Sequence, residues 1–385
     1  MDVGGYNRPP MAVRRKKVVV AMSGGIDSSV AACLLADQGY EVVGMTMRLF
    51  DYAPGVEVKN TACCSLDMVE DARRVCDGID AAHYTIDLRK PFSGAVQQNF
   101  IHEYLAGRTP NPCVQCNIYV KWQSLWQKSR EIGADWFATG HYAQVVDSAR
   151  HGRKVLTPGV DAAKDQSYAL WGIRNAHLQH TLLPVGGMEK SAVRAYAEAR
   201  GLHNAGKPDS QDICFIPDGD YSRFLNDERP DLSATVEGGE IRNLEGVTLG
   251  QHRGYPHYTV GQRKGLGLAT GQPQYVVHIE PDTNTLIVGD EADLYHDTCI
   301  LQQVNLLAID RLETPMEVRV KIRYHDEGAP ATIEPTETDR IRVRFHQPRR
   351  AITPGQSAVF YDNDVMVGGG VIVRDGLGPQ DRWQT

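Results

Sequence analysis

The stretch Met22–Ser29 reads MSGGIDSS and follows the apolar run Lys16–Ala21, KKVVVA. Three valines and an alanine in succession read as a buried strand. The two glycines behind it allow a tight turn and a close approach of backbone N–H groups to a bound group, because glycine has no Cβ in the way. Ser28–Gln38, SSVAACLLADQ, then has helical apolar spacing and stops at Gly39, and Glu41–Met47, EVVGMTM, is the next strand. Residues 17–47 therefore form one strand–helix–strand unit, which sets an α/β class.

The alternation continues outward from this unit. DMVEDARRVCDG (67–78) is a second helix, AHYTIDL (82–88) a third strand and SGAVQQNFIHEYLAG (93–107) a third helix. GRTPNPCVQCN (107–117) reads as a loop, VKWQSLWQKSREIG (120–133) as helix, and DWFATGH (135–141) as a strand entering a loop. This order implies a mostly parallel sheet covered on both faces. Near residue 215 the texture changes to a polar connector with one short helix, then to glycine-punctuated segments such as QYVVHIE (274–280) and TLIVGD (285–290). Alternating runs such as MEVRVKIRY (316–324), RIRVRFH (340–346) and VMVGGGVIV (365–373) predict an antiparallel barrel or sandwich. The expected domains are 1–215, a nucleotide-binding catalytic domain, 216–292, a small central β domain, and 293–385, a C-terminal β-barrel.

The chain has 385 residues, 42% hydrophobic and 23% charged, in keeping with a globular protein of two or three domains. No run reaches the length of a membrane span, and the N-terminal residues lack an apolar signal core, so a cytoplasmic location is expected. A net charge of −7 gives no general support for nucleic-acid binding, so such a partner must use local basic patches. Eight cysteines in a chain this long do not make a disulfide scaffold; they read as thiols, some of them reactive or metal-binding.

Strand, SGG-x-DS string and helix coincide at Ala21–Ser28, which favours a phosphate cradle over a plain glycine turn. Ala21, Met22, Ser23, Gly24, Gly25 and Ile26 are its backbone; Asp27 suits a magnesium ion, and Ser28 donates to a phosphate oxygen or caps the helix. The Walker pattern is absent. The string resembles instead the PP-loop of the ATP pyrophosphatases, which cut ATP between the α and β phosphates and adenylate an oxygen.

Cys113 and Cys116 lie in GRTPNPCVQCN, and Cys214 about a hundred residues later in KPDSQDICFIPDGDY. Taken alone, these cysteines read equally as buried apolar residues, a structural zinc site lacking a fourth ligand, or stray thiols. The strings around them decide more. MSGGIDSSVAACLL, GRTPNPCVQCN, ATGHYA, KDQSYAL, DSQDICFI, YTVGQRKGLG and TPGQSAVFY follow one another over almost the whole chain. Together they resemble the tRNA-specific 2-thiouridylases of the MnmA family.

The resemblance implies a PP-loop domain, a central β domain and a C-terminal barrel, and a tRNA-uridine 2-sulfurtransferase activity. The wobble uridine of lysine, glutamate and glutamine tRNAs would be adenylated with ATP and Mg2+ and converted to 2-thiouridine. It implies a persulfide intermediate on Cys214, Cys116 as the nucleophile that frees the sulfur, and a Cys116–Cys214 disulfide as by-product. A cysteine desulfurase or sulfur-carrier protein would supply the sulfur. By motif match Met47 meets the adenine, Gly140 the nucleotide and His141 the extruded base. Asn111, Pro112 and Cys113 also face the base. Lys164, Asp165, Gln166, Arg323, Tyr324 and Gln356 face the tRNA.

Cys113 departs from the pattern, since some relatives carry aspartate there. With Cys116 and Cys214 it makes three thiolates that would suit a [4Fe–4S] cluster with one open iron, a second route to sulfur transfer beside the persulfide. Cys63 and Cys64 read as loop thiols near the site, whereas Cys33, Cys76 and Cys299 read as core packing. The basic patches are Arg14–Lys17, Arg263 with Lys264, and the segment from Arg342.

Overall fold

The computed structural model describes residues 15–51, 66–208, 213–336 and 339–375. Cys63, Cys64 and Arg14 lie outside the described residues.

The first domain alternates as the sequence predicts. It runs β1 (Lys17–Ala21), α1 (Ile26–Asp37), β2 (Glu41–Arg48), α2 (Leu66–Asp77) and β3 (Ala82–Asp87). Helix then continues through α3 (Arg89–Phe92), a π-helical turn at Ser93–Gln97 and α4 (Gln98–Leu105). The sheet is parallel, in the order β3-β2-β1-β4-β7, with β4 at Trp136–Thr139 and β7 at Thr181–Leu182. Alternation along β1 divides its side chains between two cores. Val18 and Val20 pack with α1 and α2, and Val19 and Ala21 with the opposite core that includes Phe92, Phe100, Trp122 and Phe137. The strand order reverses beside β1, between β2 and β4, so the crevice at the carboxyl ends of β1 and β4 is where such a sheet places a ligand.

One difference from the sequence reading concerns this domain. GRTPNPCVQCN is a loop only as far as Asn111. From there it is helix: α5 (Pro112–Gln115) runs straight into a π-helical stretch, Cys116–Leu125, and on into α6 (Trp126–Glu131). The reason is legible afterwards: the Asn111 side chain accepts from the Val114 N–H and Pro112 occupies the first turn, a standard helix start. Met47 lies inside β2, as the run EVVGMTM predicts, and is half-buried against the core.

A hairpin of β5 (Ala143–Ser148) and β6 (Arg153–Pro158) follows, then α7 (Asn175–Leu178) and α8 (Lys190–Ala199). The polar connector holds two helices rather than one, α9 (Tyr221–Glu228) and α10 (Leu232–Val236). The central domain is a four-stranded sheet of β8 (Glu240–Arg242), β9 (Thr248–Gln251), β10 (Tyr275–Glu280) and β11 (Thr285–Gly289) in the order β10-β11-β8-β9. The third is a closed barrel, which settles the choice between barrel and sandwich. Its strands are β12 (Tyr295–Leu306), β13 (Met316–Lys321), β14 (Ala329–Pro335), β15 (Ile341–Arg350), β16 (Ser357–Asp362) and β17 (Val365–Ile372), ordered β12-β15-β14-β13-β16-β17. Val318, Val320, Ile333, Val343 and Phe360 fill it, while the alternate residues Arg342 and Arg344 point outward onto Glu334.

Candidate active site

The turn after β1 is shaped for close approach. Gly24 has φ of 76°, and a Cβ there would overlap the Met68 carbonyl oxygen. Gly25 caps α1 in extended conformation without a side-chain bond, which leaves the first N–H groups of the helix to a ligand. The Ser28 hydroxyl accepts from the Ser23 N–H at 3.2 Å and donates to the Gly25 carbonyl at 3.1 Å. Ser28 therefore holds the turn together from within. From below, fully buried Asn204 donates to the Gly24 carbonyl and to the Ser29 hydroxyl, each at 2.9 Å. A cradle that a Cβ would fill, with backbone donors at a helix start, fits an ATP pyrophosphate.

Asp27 shows what the sequence did not. Its carboxylate accepts from the Lys190 ammonium at 2.7 and 2.9 Å and from the Tyr142 hydroxyl at 2.6 Å. Lys190 opens α8, and its side chain is only 10% exposed, against 28% for Asp27. Tyr142 is in turn held by Gln166, whose side chain accepts from the Tyr142 N–H while the Gln166 N–H donates to the Tyr142 carbonyl. Carboxylate chemistry suits Mg2+, and Asp27 is the residue here that would hold it.

Gly140 closes the other side of the crevice. A Cβ on it would come within 2.6 Å of the Asp27 and Ser28 backbone, so its lack of a side chain serves close packing against the cradle. His141 follows, its Nδ1 on the Thr139 hydroxyl at 2.6 Å and its Nε2 on the Lys121 ammonium at 3.3 Å. Burial, reinforced by the Lys121 charge, holds its pKa well below the ordinary histidine range, so the ring is neutral.

Cys113 is exposed, and Cys116 and Cys214 are half-buried; all three are outside any disulfide. Cys116 and Cys214 both pack on the core that carries Phe92 and Phe100. Among the described residues no three histidine, cysteine or carboxylate side chains are grouped to hold a metal ion. Cys113, Cys116 and Cys214 thus do not form a ready three-thiolate set for an iron–sulfur cluster. Cys33, Cys76 and Cys299 are fully buried, and burial pushes the Cys76 and Cys299 thiols up to about 12, which makes them inert.

The residues matched to tRNA contacts divide. Lys164 is half-buried and Tyr324 exposed; burial, reinforced by Asp165 and Cys113, raises the Tyr324 phenol above its ordinary value. Asp165 is internal: its carboxylate accepts from the Gly159 and Ser167 N–H groups and the Ser167 hydroxyl and pairs with Lys321 of β13, leaving it 7% exposed. Arg323 donates to the Arg350 and Ala351 carbonyls. Gln356 donates to the carbonyls of Thr109 and Pro110, just ahead of Asn111 and Pro112. Sequence reading missed Lys190, Tyr142, Asn204 and Lys121. The first three lie 115 to 180 residues from their partners, so no local spacing pairs them.

Fold and site together define a nucleotide-binding α/β domain that carries half-buried Cys116 and Cys214 on one core, joined to two β domains. Family models match it in three parts: a tRNA methyl transferase HUP domain over residues 16–218, a tRNA methyl transferase PRC-barrel domain over 224–290, and an aminomethyltransferase beta-barrel domain over 296–372. The tRNA-specific 2-thiouridylase MnmA of Lachnoclostridium phytofermentans is 47% identical over 93% of this chain and 100% of its own length. The protein of that name in Clostridium perfringens is 47% identical over 93% and 98%, and that in Clostridioides difficile 46% over 93% and 98%. Solved structures match weakly; an NMN synthetase from Francisella tularensis covers 51% of this chain and 67% of its own at 18% identity and a TM-score of 0.32, too low to bear on function. The chain belongs to the tRNA-specific 2-thiouridylase MnmA family.

Proposed function

We propose that this protein is a tRNA-uridine 2-sulfurtransferase that thiolates the wobble uridine at ring position 2 at the expense of ATP. The observation that carries the reading is the full-length likeness to the 2-thiouridylases, which spans cradle, both cysteine segments and barrel alike. The family models speak of methyl transfer, but that reaction needs neither an adenylating cradle nor a pair of thiols, and this chain has both.

In this reading the cradle Ser23–Ser28 holds the pyrophosphate of ATP and orients its α-phosphate toward the uridine oxygen. Asp27 would hold magnesium, which would supply positive charge against the pyrophosphate. Adenylation turns a poor leaving oxygen into AMP. The terminal sulfur of a Cys214 persulfide attacks the ring carbon, the bond from that carbon to the AMP oxygen breaks, and the electron pair leaves on AMP. The Cys116 thiolate then attacks the Cys214 sulfur, the S–S bond breaks toward the base as a thiocarbonyl, and a Cys116–Cys214 disulfide remains. A dithiol reductant resets it. Neutral His141, at the end of β4, lines the place of the extruded base.

The test is incubation with ATP, Mg2+, unmodified tRNA and a persulfide-loaded desulfurase. Pyrophosphate and 2-thiouridine should appear together, and both should require tRNA. Pyrophosphate release without tRNA, or with a small-molecule acceptor in its place, would point to a PP-loop ligase instead.

A further inference from the structure

We propose that Lys121 is a catalytic residue of the second half of this reaction: its ammonium stabilises the negative charge that develops on AMP as sulfur displaces it. The inference rests on the thiolation reading and adds a residue that no motif in the chain assigns.

Three observations place Lys121 between the two halves of the chemistry. Its ammonium sits 3.3 Å from the His141 Nε2, and His141 follows Gly140, which abuts the Asp27–Ser28 backbone of the cradle. Lys121 thus reaches the wall of the nucleotide crevice. It also belongs to the same helical stretch as Cys116. In an α-helix a residue five positions on points about 140° away. The stretch Cys116–Leu125 is π-helical, and in that i→i+5 register Lys121 stacks one turn beyond Cys116 on the same side.

The third observation is charge. Three other lysines each have a carboxylate: Lys190 has Asp27, Lys207 has Asp71 and Lys321 has Asp165. Lys121 has none among the described residues; its partner is an imidazole that is itself neutral. With Lys121 donating to Nε2, the ring proton sits on Nδ1 and goes to the Thr139 hydroxyl, which fixes the imidazole. A half-buried ammonium facing a neutral acceptor is a preorganised positive charge without its anion. Such a charge is worth most to an anion that appears during the reaction. AMP departing from the base, between the cradle and the persulfide, is that anion. In the step concerned the sulfur–carbon bond forms, the carbon–oxygen bond to AMP breaks, and the oxygen's electron pair is left on the phosphate that Lys121 faces.

The experiment follows both half-reactions in a single turnover with persulfide-loaded protein, ATP, Mg2+ and tRNA, comparing the wild type with Lys121→Met. Pyrophosphate release should stay within about threefold, while 2-thiouridine formation falls about 100-fold or more and adenylated tRNA accumulates. Lys121→Arg should recover part of the second step, which a mere packing role would not predict. Lys121→Gln, which keeps a donor toward His141 without the charge, gives the same comparison where Lys121→Met melts early. If pyrophosphate release falls as far as thiolation, Lys121 serves ATP and the inference is wrong; unchanged thiolation also overturns it. A wild type that releases no pyrophosphate with tRNA refutes the reading of the reaction itself, and is told apart by that.

Discussion

Gly24 and Asp27 show how little the cradle tolerates at the scale of single residues. At Gly24 a side chain meets both a left-handed backbone and the Met68 carbonyl, so Gly24→Ala should lose at least 1–3 kcal/mol and ATP turnover with it. Thermal melting beside pyrophosphate release checks this; an active, equally stable variant would show the turn is not closed as described. Asp27→Ala should abolish tRNA-dependent pyrophosphate release. It should also destabilise the fold by a few kcal/mol, since it removes the carboxylate that faces the Lys190 ammonium in a nearly buried place. The double variant Asp27→Ala/Lys190→Met separates the two effects: stability should return toward wild type while activity stays lost. Recovery of activity in the double variant would remove Asp27 from the reaction. Asp27 was legible from the string SGGIDSS alone, but its two partners were not. Lys190 is 163 residues away and Tyr142 115, and only the sheet order that sets β4 and α8 around β1 brings them in.

At the scale of elements, the sequence revealed the strands and helices of the first domain because each long apolar run had one period and clear stops. It did not reveal elements whose cause is tertiary. β7 is two residues long and exists because β4 offers it an edge, with Trp122 Nε1 bonding the Thr181 hydroxyl at 2.8 Å. The helix carrying Cys113 and Cys116 was misread as loop because two prolines outweighed the Asn-Pro start that was there to see. That start gives a prediction: Asn111→Ala should cost about 1 kcal/mol by loss of the cap, yet reduce thiolation by more than that, because the first turn orients both thiols. Equal small losses in melting and activity would deny the turn that role. A second prediction concerns α2 and the segment after α8. Burial raises the Asp71 carboxyl, but hydrogen bonds from Lys207 and His203 outweigh it and hold the pKa below the ordinary value. A depressed folded pKa stabilises above the unfolded value of about 3.9 and loses that contribution as pH falls through the folded pKa. Asp71→Asn should therefore lower the melting temperature at pH 7, with the difference from wild type shrinking below about pH 4. A difference that is the same at pH 3 and pH 7 would assign the effect to packing rather than charge.

At the scale of the molecule, the barrel is fixed to the first domain through a seam of polar contacts, to which Arg374, just beyond β17, adds a bond to the Ala106 carbonyl at 2.8 Å. Trp171 Nε1 donates to the Ser357 hydroxyl at 2.9 Å, the Tyr168 hydroxyl to the Ser357 carbonyl at 2.9 Å, and Asn305 to the carbonyls of Trp171 and Ile173. Gln356 completes this seam, and its amide reaches the Thr109 and Pro110 carbonyls at 3.1 and 3.0 Å. The neighbouring Gly355 lies so close that a Cβ there would come within 2.7 Å of the Thr109 carbonyl oxygen. The strings TPGQS and NP were both visible in the sequence, but their adjacency was not, since 247 residues separate Gln356 from Thr109. This adjacency changes what Gln356 is expected to do. A residue that only touched tRNA would, when replaced, weaken tRNA binding and leave the empty protein unaltered. A residue that seats the segment ahead of Asn111 would change the empty protein as well. Gln356→Ala removes both hydrogen bonds and leaves two carbonyls without that donor, a loss of about 1–3 kcal/mol borne locally by residues 109–116. Hydrogen exchange of the tRNA-free variant should therefore speed up across this segment, and thiolation should fall several-fold even at saturating tRNA, because the Cys116 turn is no longer held against the crevice. Unaltered exchange, with a deficit that saturating tRNA abolishes, would return Gln356 to the role of a tRNA contact alone.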